Sequence, residues 1–164
     1  MNAEKEVRVL GLYTLRTLVT LLGIWILKLI VVSLPFFKEI AIPDFPFTVV
    51  QIVNLFITIV VVVIIVNYGI GLSKYWPLEF PKAPEAGTVL TMIVFLIALI
   101  TAYNSLKEVL ETLVEGSEAV LILQIVFLVT SVMLLMRAAL VVYQVLPKWL
   151  NTLRESISAP PDLD

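Results

Sequence analysis

Between Asp44 and Lys74 the chain carries no charged side chain. That run is longer than the roughly 20 residues an α-helix needs to cross about 30 Å of hydrocarbon. It is also far longer than the roughly 10-residue strands of a membrane barrel, and it lacks their strict alternation. Three similar runs accompany it, giving expected spans at about 10–34, 47–72, 86–106 and 119–146. The prolines avoid the middles of these runs: Pro35, Pro43 and Pro46 fall between the first two, Pro77, Pro81 and Pro84 between the next two, and Pro147 closes the last. A lipid-embedded helix must satisfy every backbone group internally, and proline lacks the N–H. The predicted fold is therefore an all-α integral membrane protein, a four-transmembrane-helix bundle forming one membrane domain over 1–154, with a disordered C-terminal tail over 155–164.

Composition carries the same message and closes several functional classes. Hydrophobic residues make up 60% of the chain and charged residues only 15%, and mean hydropathy is +1.06. A soluble domain this small has no core large enough for such an excess. A formal net charge of −2 gives no basic surface for nucleic acid. The absence of Cys and His closes the commonest routes to metal, haem and thiol chemistry. No phosphate-binding loop or nucleophile elbow occurs, and every carboxylate falls in an expected loop or tail. The expectation is a non-enzyme without a cofactor.

The charged segment Glu4–Arg8 precedes an apolar run too long for a cleaved signal, so the first run reads as a retained span. Lys5, Arg8, Arg16, Lys74, Lys82, Arg137, Lys148 and Arg154 fall on one side of the four spans, and Lys28, Lys38 and Lys107 on the other. The excess places both termini in the cytoplasm of a multi-pass cell-membrane protein. Laying Gln51-Ile52-Val53 over Gln124-Ile125-Val126 also sets Trp76 over Trp149 and the first span over the third. The match is consistent with two duplicated helical hairpins in parallel, and equally with two unrelated hairpins of similar length.

Polar residues inside spans need partners. At 100° per residue Thr130, Arg137 and Gln144 share one stripe of the fourth span. This stripe reads either as a pore-lining or interface seam, or as ordinary packing with Arg137 snorkelling to the boundary. Arg137 has no carboxylate at its own expected depth; carbonyls, Asn67, Tyr68, a lipid phosphate, an anion or another subunit are the available partners. Lys28 in the first span is read as snorkelling outwards. Thr91, Ala98, Ala102 and Ser105 make a small-residue packing stripe on the third span.

The outer segment Lys107–Glu118 places Glu108, Glu111, Glu115 and Glu118 on one helical face, so the third span should continue as a short amphipathic helix to Gly116, with Ser117 capping the fourth. That acidic rim either concentrates cations at a mouth or is a solvated face. The Pro-rich segment Ser73–Gly87 reads as an extended inner loop. Two functions follow: a homo-oligomeric channel or pore for ions or small solutes, or an accessory or scaffolding subunit of a larger membrane complex. Membrane lipid and either identical copies or other membrane subunits are the implied partners.

Overall fold

A computed structural model describes residues 3–35, 47–81, 83–113 and 117–158. They form four helices: α1 (Ala3–Ser33), α2 (Val49–Glu79), α3 (Pro84–Leu113) and α4 (Ser117–Ser158). All four are long and apolar enough to cross a membrane. The chain is a small multi-pass membrane protein with an all-α, four-helix bundle fold.

Helix ends are set by local chemistry. Thr48 and Gln51 form a reciprocal capping box at the start of α2, the Gln51 side chain accepting from the Thr48 N–H at 2.9 Å. The expected extended loop over Ser73–Gly87 is not what forms: α2 runs on to Glu79 and α3 starts at Pro84, leaving only Phe80–Ala83 between them. The Trp76 indole closes this turn by donating to the Ala83 carbonyl at 2.9 Å. Pro147 closes the stretch apolar enough to cross a membrane, as expected, but does not end the helix: α4 continues through it to Ser158, into the stretch expected to be disordered. Both prolines remove a helical N–H, orphaning the carbonyls of Ser73 and Tyr143. Both of those residues are exposed, so neither proline breaks a bond in the bundle's interior. The amphipathic extension does form, as α3 reaches Leu113 and α4 resumes at Ser117. Gly116 and Glu115 lie outside the described residues.

Neighbouring helices run antiparallel and pack only in chain order, α1 on α2, α2 on α3 and α3 on α4. Among the described residues α1 touches neither α3 nor α4 through its backbone. The α2–α3 pair is the centre. There Gly87 lies so close to Trp76 that a Cβ would fall 2.6 Å from the indole Cγ. The Thr91 hydroxyl reaches the carbonyls of Gly87 and, across the interface, Gly69. Thr91 and Ala98 are buried, while Ala102 and Ser105 are half-buried beside Leu55, Thr58 and Val62 of α2. The small-residue stripe thus faces α2, where short side chains let two backbones approach.

On the other flank of α2, Tyr13 of α1 lies over Gly71, stacked on Tyr68 with centroids 5.8 Å apart and tilted against Tyr75 at 5.7 Å. Its hydroxyl donates to the Asn67 carbonyl at 2.8 Å, and the Leu10 N–H meets the Glu79 carboxylate at 2.6 Å. Aromatic rings with satisfied polar tips suit the boundary between hydrocarbon and water.

The outer helices lie on different sides of the central pair. The cleft beside α1 takes Thr101 from α3, whereas that beside α4 takes Thr88, Thr91, Met92 and Phe95. At 3.6 residues per turn these stand roughly 80–180° round α3 from Thr101, and among the described residues α1 and α4 do not touch through their backbones. The bundle is therefore a zigzag row, two hairpins joined through α2 and α3, and not a closed square.

Candidate functional site

The side chains picked from sequence disperse. On α4, Leu123, Phe127, Leu134, Ala138 and Val145 are the less exposed line that faces α3, with Phe127 against Tyr103 at 4.4 Å between centroids. Thr130, Arg137 and Gln144 lie roughly 70° round the helix from it, at the edge of the contact. The Thr130 hydroxyl is satisfied within its own helix by the Val126 carbonyl at 2.8 Å. Arg137 and Gln144 are exposed, as is Asn67, whose main chain alone is engaged by Tyr13. Of the polar stripe, Arg137 lines a cleft.

That cleft, of about 430 Å³, opens between α2, α3 and α4. Lys74 and Ser73 come from α2, Thr88 and Thr91 from α3, and Arg137 from α4. Its floor is Ile70, Met92, Phe95 and Leu134. No carboxylate lines it, and among the described residues neither Arg137 nor Lys74 has an ion pair. The Lys74 ammonium stands 5.6 Å from the ring of Tyr75. Sequence spacing on single helices does not find this pairing, because Lys74 and Arg137 meet only through the antiparallel register of α2, α3 and α4.

The same register fixes depth. Lys74 is level with Thr88, and Arg137 lies about a turn further in, level with Met92 by the register of Phe127 on Tyr103. Arg16 of α1, three residues past Tyr13, lies nearly two turns further in than Lys74. The stretches Thr88–Lys107 and Glu118–Arg137 each measure about 28 Å at 1.5 Å per residue, close to the hydrocarbon thickness of a bilayer. Lys74 and Arg137 therefore form a cationic belt, about a turn apart in depth, near one end of the apolar spans, with Lys107, Glu108 and Glu118 near the other. The carbonyls orphaned by Pro77 and Pro147 lie at or beyond the level of that belt. No family model matches this chain, and neither does any curated protein or solved structure. Functional inference rests on the geometry alone.

Lys28 lines a cleft of about 610 Å³ between α1 and the central pair, at the level of Thr58 and Thr101. Of the acidic rim, Glu108, Glu111 and Glu118 are exposed, and Glu111 pairs with Lys107 at 3.6 Å. Glu115 lies outside the described residues. The Asn54 side-chain oxygen is buried without a hydrogen-bond partner among the described residues.

Proposed function

We propose that the chain is a non-catalytic, membrane-embedded accessory or scaffolding subunit that assembles with further membrane helices along the open flanks of α1 and α4. The observation that carries this reading is the zigzag row: each outer helix packs on one neighbour and leaves its remaining apolar surface uncovered. The placement of Arg137 in the cationic belt favours it over a pore with that residue at mid-depth. A homo-oligomeric channel or pore is the second reading. It is favoured by one observation, the position of Lys28, Thr58 and Thr101 on a shared cleft inside the far boundary.

Native mass spectrometry of the protein extracted gently from its own membrane tests both. Stoichiometric foreign subunits are the expected result. A ring of identical copies, with ion flux in vesicles that falls at least severalfold on Lys28→Ala, would turn the assignment to the channel. A stable, monodisperse monomer would overturn both.

Arg16, Lys74 and Arg137, all in the termini-side half of the bundle, support a cell-membrane orientation with both termini in the cytoplasm. Because the chain has no cysteine, single introduced thiols report sidedness cleanly. A membrane-impermeant maleimide should label Glu118→Cys in intact cells, and Tyr143→Cys only after permeabilisation. The reverse pattern would invert the topology.

A further inference from the structure

The cleft that holds Lys74 and Arg137 does not end at its apolar floor. Phe95 and Leu134 are shared with a second trough of about 340 Å³, which continues away from the cationic belt over Val66, Ala98, Leu99 and Ala102. No polar side chain lines this second part. The composite groove thus has two cations and the hydroxyls of Ser73 and Thr88 at its mouth, then Thr91, whose hydroxyl is taken up by the Gly69 and Gly87 carbonyls, and only hydrocarbon beyond. From Thr88 to Ala102 it follows α3 for about 21 Å, enough for the roughly 15 Å depth of one leaflet's acyl region.

Lys74 and Arg137 face the cleft from different helices, and among the described residues neither has an ion pair. A phosphate at the boundary satisfies that geometry: the guanidinium offers a planar fork to two oxygens, the ammonium a point charge, and the hydroxyls further donors. Charge and hydrophobicity are ordered along the groove as they are along a phospholipid.

We infer that the α2–α3–α4 groove is a specific site for one anionic phospholipid of the termini-side leaflet, its phosphate between Lys74 and Arg137 and one acyl chain in the trough. The site uses only the membrane frame and is independent of whether the chain scaffolds or conducts.

The test is native mass spectrometry of the delipidated full chain in detergent, titrated with phosphatidylglycerol or with phosphatidylcholine of the same acyl composition. Wild type should bind one phosphatidylglycerol in clear preference to phosphatidylcholine. The double variant Lys74→Gln, Arg137→Gln should bind phosphatidylglycerol about tenfold more weakly and lose the preference. Both side chains are exposed, so its thermal midpoint should be unchanged, which separates lost binding from lost fold. Arg137→Lys, which keeps the charge, should retain the preference. Val66→Trp, which fills the trough, should weaken both lipids while leaving the cations in place. Equal binding of the two lipids by wild type overturns the inference, as does a double variant that binds like wild type. So does displacement of phosphatidylglycerol by equimolar inorganic phosphate, which would make the site one for a soluble anion.

Discussion

Replacing Gly87 with leucine is expected to destabilise the bundle by about 3 kcal/mol. A Cβ at that position falls 2.6 Å from Cγ and 2.7 Å from Cβ of Trp76. The nearer part of that side chain cannot swing aside as a ring edge would, so α2 and α3 must separate or the indole must leave. Either response breaks the indole bond to the Ala83 carbonyl, which closes the turn between the two central helices. The remaining side-chain atoms then overpack an interface built on Thr91 and Ala98. Gly23→Leu supplies the control, since a Cβ there meets nothing within 4 Å. It adds helix propensity on an open face and should leave stability equal or higher. Unfolding in mixed detergent micelles, followed by circular dichroism, measures both. Equal midpoints for the two variants would show that the α2–α3 contact does not organise the fold.

Leu128→Lys and Leu140→Lys should differ by about 2–3 kcal/mol in membrane insertion, although the same residues exchange on the same helix. Leu128 and Leu140 are 61% and 55% exposed, so neither change disturbs packing and both report the surroundings of the helix. Leu128 lies near the middle of the stretch between Glu118 and Arg137, where a lysine costs the full midplane penalty. Leu140 lies a turn past Arg137, on the side away from the bilayer, where a lysine costs little. If the membrane extended to Pro147, as the hydropathy of the fourth span suggests on its own, Leu140→Lys would also be costly. Glycosylation-based insertion assays of the full chain separate the two cases.

Number, length and order of the spans are legible in sequence because hydrocarbon imposes a rule on every residue it touches: no charge and no unsatisfied backbone. Thr91 and Ala98 are legible for a related reason, since small residues at helical spacing mark close approach wherever it occurs. The ends of the helices are not. Pro77 and Pro147 look like stops, yet proline stops a helix only where the freed carbonyl has no alternative partner, and Ser73 and Tyr143 lie exposed. The contacts made by Tyr13, Trp76, Glu79 and Lys74 escape sequence reading, because they arise between elements and no single-helix periodicity records them. The Lys74–Arg137 cleft is of this kind.

The continuation of α4 has a mechanical consequence. Extending the register of Phe95 on Leu134 brings the first turn of α3, at Pro84, level with about Val145, which is 5% exposed. From there to Ser158 the helix runs on for roughly 20 Å past the first turn of α3. It is a lever whose fulcrum is the belt at Arg137. A small tilt of the embedded arm, such as one made by a lipid entering or leaving the groove beside Leu134, becomes a wider sweep at the free end. Whatever docks on that end would feel the composition of the bilayer without touching it.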